Sequence, residues 1–102
     1  MAHRLELQIE LETLLNNKNV YFQPPETEKL NYPCIVYNRK NISSNKANDK
    51  NYLLHDEYEL TLIYRNPDSQ LTHKILEHFK YCNFGTHFVS DNLNHDTFNL
   101  FY

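Results

Sequence analysis

Six histidines and two cysteines are the side chains of this 102-residue sequence best suited to metal binding or to acid–base and nucleophilic chemistry. His73 and His78 fall within one helical pattern. Five residues turn them roughly 140° apart around a helix axis, so one face cannot offer both to a single ion. His73 and Glu77, four apart, are spaced for an ordinary helix-surface pair worth roughly 0.2–0.5 kcal/mol. His55–Asp56 and His95–Asp96 are sequence neighbours, and neighbours in a strand point to opposite faces, so neither doublet makes a dyad by itself. With one glycine in the chain there is no phosphate-cradling glycine-rich loop, which removes the usual framework for nucleotide hydrolysis.

Cys34 and Cys82 sit in Pro-Cys-Ile-Val-Tyr and Tyr-Cys-Asn-Phe and read as two reduced, partly buried thiols rather than a disulfide. Cys82 could meet His87 or His55 as a nucleophile pair only through the fold. No local motif supports that pairing, and an oxyanion loop normally draws on more than one glycine. The carboxylates Asp56, Glu57 and Glu59 lie in an alternating segment whose polar face already accounts for them. The expectation is therefore a chain that is not an enzyme, with no cofactor and no metal.

Composition narrows the partners. A net charge of -3 lacks the basic excess that tracking a phosphate backbone requires. Stacking of nucleobases on tyrosine is disfavoured because Tyr58, Tyr64 and Tyr102 fall at alternating, core-facing positions. No window approaches the roughly 18–20 apolar residues needed to cross a bilayer, and the start, MAHRLELQIELE, lacks an uninterrupted apolar run, so a cytoplasmic location without membrane contact is expected. With 40% hydrophobic residues and a length common for one folding unit, a single domain over 1–102 is expected.

The elements follow from periodicity. Leu7, Leu11, Leu14 and Leu15 recur at helical spacing within 3–17. Leu5, Leu7, Ile9 and Leu11 also alternate, but the Leu, Glu and Gln composition decides for a helix. Asn16, Asn17 and Asn19 end it. Val20-Tyr21-Phe22 forms a short strand before Pro24-Pro25, and Pro33 opens a second strand at Cys34-Ile35-Val36-Tyr37. Residues 38–51, NRKNISSNKANDKN, read as a long mobile polar loop at the sheet edge. In Tyr52–Tyr64, Tyr58, Leu60, Leu62 and Tyr64 alternate with Glu57, Glu59, Thr61 and Ile63, the core-facing set against the water-facing set. Asn66 then suits an N-cap and Pro67 the first helical position, ahead of a helix striped by Leu71, Ile75 and Phe79. Gly85 marks a turn or bulge that requires positive φ. Asp91-Asn92 breaks the chain again before a closing strand at Thr97–Tyr102. The predicted class is α+β: one mainly antiparallel sheet of four to five strands packed with two helices, in the order α-β-β-β-α-β-β.

The wording of three stretches adds a likeness. These are Gln23-Pro24-Pro25-Glu26 through Leu30-Asn31-Tyr32-Pro33-Cys34-Ile35-Val36-Tyr37, then Asp56-Glu57-Tyr58-Glu59-Leu60-Thr61-Leu62-Ile63-Tyr64-Arg65-Asn66-Pro67-Asp68-Ser69, and the ending Asp91-Asn92-Leu93-Asn94-His95-Asp96-Thr97-Phe98-Asn99-Leu100-Phe101-Tyr102. Together they resemble the tail terminator, tail-completion and neck proteins of tailed bacteriophages. The resemblance implies an α+β subunit of a homo-oligomeric ring, commonly a hexamer, that caps the tail tube and joins it to the head. Its partners would be other copies of itself, the tail-tube protein and a head-completion or connector protein. It would belong to the virion, assembled in the host cytoplasm, with genomic DNA passing the lumen unbound; an acidic lining that repels phosphate suits such transit. The alternative is a small phage-encoded binding module acting on a host protein. Exposure picks Asn45 and Lys46 in the polar loop, and Glu57 and Glu59 on the long strand, as candidate oligomer-interface residues.

Overall fold

In the computed structural model, residues 3–42 and 56–102 are described. The chain runs α1 (His3–Leu15), β1 (Val20–Phe22), β2 (Cys34–Ile42), β3 (Asp56–Tyr64), α2 (Leu71–His78), β4 (Cys82–Ser90) and β5 (Leu93–Phe101), the predicted α+β order. The five strands form one mixed sheet in the order β1-β2-β3-β5-β4. β1 runs parallel to β2, and every other pairing is antiparallel.

Side-chain alternation builds the core. Leu7, Leu11 and Leu15 of α1 and Ile75 of α2, with Phe79 just beyond it, pack on Ile35 and Tyr37 of β2, Tyr58, Leu60, Leu62 and Tyr64 of β3, and Phe98 and Leu100 of β5. Both helices therefore cover one face of the sheet. Leu14, Leu71 and Leu76 pack against the margins of the cluster. Ile63 departs from the expected pattern: it lies on the opposite face yet is buried, in register with the buried Cys34 on β2 and with His95 on β5.

The ends of α1 explain its bounds. Asn16 adopts a left-handed φ of 62°, its N–H reaches the Thr13 carbonyl at 3.2 Å, and the Asn17 N–H reaches the Glu12 carbonyl at 3.3 Å. This is a Schellman closure with asparagine in the position glycine usually takes. Gln8 ties the helix to the sheet by donating to the Val20 carbonyl and accepting the Tyr37 hydroxyl.

Four local expectations are corrected. The polar stretch beginning at residue 38 is not loop throughout, because β2 continues to Ile42 against β3, with a bulge between Arg39 and Asn41. The part of that stretch beyond 42, and residues 52–55 of the expected long strand, lie outside the described residues. Asn66 does not cap α2: its side chain accepts the Asp68 N–H at 3.0 Å in a turn, and the helix begins at Leu71 after Gln70. The closing strand starts at Leu93 rather than Thr97, because Asp91 and Asn92 form a two-residue hairpin turn with φ of 53° and 62°. Gly85 lies inside β4 and does not have positive φ; it occupies a bulge in which Gly85 and Thr86 face Thr97. A Cβ there would sit 2.5 Å from Thr97 Oγ1 and 3.1 Å from the Thr97 carbonyl oxygen, so close approach is what demands glycine.

Candidate functional site

The outer strand β4 is the part of the sheet least covered by the rest of the chain. It is an edge strand of nine residues, and every position from Asn83 to Ser90 is exposed. It contains no Lys, Arg, Asp, Glu or Pro, the residues that natural edges use to repel a second strand. Phe84 and Phe88 are each 45% exposed and Val89 is 62% exposed. Phe84 meets Phe98 edge-on at 5.8 Å, and Phe88 stacks on His95 at 4.6 Å, so the two aromatics are held by opposite faces of β5. The bulge at Gly85-Thr86 is fixed by the Thr86 N–H donating to Thr97 Oγ1 at 2.9 Å.

Under this edge lies a buried carboxylate. Asp96 is 3% exposed. Its Oδ1 accepts from His87 Nδ1 at 2.5 Å, and its Oδ2 accepts the hydroxyls of Thr72 at 2.5 Å and Tyr64 at 2.8 Å. Burial by itself raises the Asp96 carboxyl, but the bonds from Thr72, His87 and Tyr64, with the His87 charge, outweigh it together and hold the group below the usual carboxylate range. The same burial and the Asp96 charge push the Tyr64 hydroxyl up. An oriented histidine of this kind is also what a general base would need. Cys82, the nearest thiol in sequence, lies at the far end of β4 in register with Leu100, whereas His87 is in register with Asp96. The Cys82–His87 pair is therefore not assembled.

The remaining chemistry-bearing residues disperse. Cys34 and Cys82 are free, two strands lie between theirs in the sheet, and burial pushes each thiol up to about 11. His95 and Asp96 point to opposite faces, His95 toward Phe88 and Asp96 toward α2. His78 Nε2 lies 2.7 Å from Glu10 on α1. Among the described residues no group of three or more His, Cys, Asp and Glu side chains converges as a metal site. An open cleft of about 300 Å³ lies beside Tyr32, Pro33, Tyr64, Arg65, Asn66, Ser69 and Leu71. Its arginine lies 5.6 Å from the Tyr32 ring. No described helix is long and apolar enough to cross a membrane.

Of the four expected interface residues, Asn45 and Lys46 lie outside the described residues. Glu57 and Glu59 are on the helix-free face of β3, in register with Phe101 and Asn99 of β5. Glu59 is exposed. Glu57 is partly covered and pairs with Lys40 Nζ at 3.6 Å, which also reaches Asn99 Oδ1 at 3.5 Å. The helix-free face is thus polar around Glu57, Glu59, Thr61, Thr97 and Asn99 and apolar at Ile63, Phe88 and Phe101. Sequence reasoning missed both β4 as an exposed edge and the His87–Asp96 pair. The second was within reach: a two-residue turn at Asp91-Asn92 sets Ser90 opposite Leu93 and, by counting back, His87 opposite Asp96.

No protein-family model, curated protein or solved structure matches this chain.

Proposed function

We propose that the chain is a structural subunit of a tailed-bacteriophage virion, a tail terminator or neck protein that closes into a ring, with six copies as the expected number. The observation that carries this reading is the long, uncharged, aromatic edge strand β4, whose internal guard against a second polypeptide is the single bulge at Gly85-Thr86. A monomer that left such an edge bare would invite uncontrolled strand pairing, whereas a closed ring covers it in every copy. The resemblance carried by Gln23–Glu26 through Leu30–Tyr37, Asp56–Ser69 and Asp91–Tyr102 supports this identity for the ring. The carboxylates Glu57 and Glu59 on the helix-free face suit a wall that DNA passes without sticking. The partners would be further copies of the chain, the tail-tube protein and a head-completion or connector protein, joined during virion assembly in the host cytoplasm.

Native mass spectrometry of the purified chain, alone and with assembled tail tubes, tests the proposal. A discrete closed oligomer, formed alone or on the tube end, is the expected result. A chain that stays monomeric at high concentration and ignores tail tubes overturns it, and a monomer that captures a host protein instead is what the alternative role as a host-directed binding module would give.

A further inference from the structure

The direction of the main-chain groups on β4 follows from the bonds at the far end of β5. Tyr102 exchanges both main-chain bonds with Asp56 of β3, and the Phe101 N–H reaches the Tyr81 carbonyl at 2.9 Å. Successive residues of an antiparallel strand turn these groups alternately to one neighbour and the other. Phe101, Asn99, Thr97, His95 and Leu93 therefore bond toward β4, whereas Asp96 and Asn94 bond toward β3. His87 and Val89 stand opposite Asp96 and Asn94, so their N–H and C=O groups turn away from β5 to the open edge. Phe88 and Ser90, opposite His95 and Leu93, are bonded inward. Water satisfies the outward groups in a lone subunit; a second strand satisfies them and covers Phe88 and Val89 as well.

The described chain has one other sheet edge to supply that strand. It is β1, three residues long and followed by Pro24-Pro25, and past it β2 carries Arg39 and Lys40 beside a bulge. Short length, proline, cations and bulges are the features that keep strands off an edge. β4 of one copy on β1 of another is thus confined to three residues. β4 on β4 is not.

The sequence of β4 fits its own copy in one register. A two-fold contact sets each group on the axis against itself, so a strand without charge suits it. With the axis at Phe88, His87 faces Val89 of the other copy and Val89 faces His87, so outward-turned residues meet outward-turned residues. Phe88 then faces Phe88 in a pair without hydrogen bonds, where side chains approach most closely. Thr86 against Ser90 flanks it on the same face. The first charge past Ser90, Asp91, faces Gly85, which leaves the two Asp91 carboxylates about 20 Å apart at about 3.4 Å per residue. An axis at His87 drives Val89 onto Gly85 in the bulge, and an axis at Val89 leaves His87 opposite Asp91 of the turn.

We propose that the β4 edge is an interface between two copies of this chain, paired antiparallel about a two-fold axis at Phe88, which joins their five-stranded sheets edge to edge. Each edge is used once, so the pairing stops at two copies. A ring made this way is a ring of pairs joined through a second surface, and the pairing itself does not depend on the ring reading.

Analytical ultracentrifugation and native mass spectrometry of the full chain test this. The wild type is expected to form pairs, alone or within a larger oligomer of even copy number. Val89→Pro removes only an outward N–H, which an edge strand tolerates, and is expected to lose the wild-type oligomer with unchanged circular dichroism. Phe88→Lys and Phe88→Glu each set like charge against like and are expected to lose it too; mixed 1:1, they are expected to form a hetero-pair, because residue 88 meets itself. A folded Val89→Pro chain that keeps the wild-type oligomer, or two folded charged variants that form no hetero-pair, overturns the inference. A wild-type chain that is monomeric on its own also overturns it and leaves the ring to be tested on tail tubes, whereas pairs that ignore tail tubes fail the ring reading and uphold the inference. Should these variants not fold, mild oxidation of Phe88→Cys replaces them. A Cα separation of about 4.5 Å in a pair without hydrogen bonds is within disulfide reach, so a link between position 88 of two copies is expected by peptide mapping. Its absence from the folded chain overturns the inference.

Discussion

The imidazole of His87 and the carboxylate of Asp96 meet at 2.5 Å across the β4–β5 hairpin, and the same carboxylate holds Thr72 of α2 and Tyr64 of β3. One buried charge therefore joins three neighbouring strands and a helix. Its influence reaches the edge strand through His87, three residues past the Phe84 side of the bulge. A carboxylate that accepts three hydrogen bonds offsets the loss of its hydration.

Asp96→Asn removes the charge and leaves the amide NH₂ facing groups that are donors in the wild type. The variant is expected to lose about 1–3 kcal/mol of stability at neutral pH. The folded-state value of Asp96 lies below the ordinary 3.8. Its stabilisation is therefore fully present above 3.8 and is lost as pH falls through the lower folded value. Urea midpoints across a pH series should show the wild type and Asp96→Asn converging in acid below that range. Parallel curves would show that the charge does not matter to the fold.

Gly85→Ala is expected to destabilise the hairpin by about 1–3 kcal/mol, since the added methyl meets both Oγ1 and the carbonyl oxygen of Thr97. Removing the hydroxyl first should soften the clash, so Gly85→Ala made in a Thr97→Ala background is expected to do less harm than in the wild type. Thermal denaturation of the four chains measures the coupling. Strict additivity would show that close approach to Thr97 is not the constraint.

What the sequence makes legible here depends on how local the cause is. The Leu7–Leu15 stripe, the Tyr58–Tyr64 alternation and the Ile75–Phe79 spacing each name their own element, because a period of 3.6 or 2 is written within a dozen residues. The bounds were harder to read. Asn66-Pro67 offers helix-start chemistry, but the Asx turn at Asp68 takes it up and defers α2 to Leu71. Residues 38–40 are polar yet lie on a strand, Asn38 opposite Glu59 and Arg39 over the Tyr58 ring, so polarity alone imitated a loop. The exposure of β4 could not be read at all. Phe84, Phe88 and Val89 look like core residues until the strand order places them at an edge.

The two thiols provide a chemical check on packing. Burial moves each from the ordinary 9.0 to about 11, so at pH 8 the thiolate fraction falls about 100-fold. Cys82, partly covered, is expected to react with a disulfide reagent about 100-fold more slowly than a free cysteine peptide. Cys34, fully buried, should react only as fast as the chain opens. Stopped-flow thiol titration in native buffer and in urea resolves the two. Two fast native phases would contradict the placement of both side chains.

Glu10 joins the first helix to the end of the described chain: one carboxylate oxygen accepts the Tyr102 hydroxyl and the other lies 2.7 Å from His78 Nε2. The two contacts differ in exposure and so in weight. The tyrosine ring packs edge-on against Phe79 at 6.1 Å, and burial together with the Glu10 charge pushes its hydroxyl well up, which marks a partly desolvated bond. Tyr102→Phe is therefore expected to lose about 0.5–1.5 kcal/mol. His78 is more open to water, so His78→Ala should change stability by less than about 0.5 kcal/mol through this pair. Because Glu10→Gln weakens both contacts, its loss should exceed that of His78→Ala, and adding Tyr102→Phe to it should do less harm than in the wild type. Chemical denaturation of the four variants orders them. If His78→Ala were the most damaging, the helix pair rather than the tyrosine would be what fastens α1 to the rest of the fold.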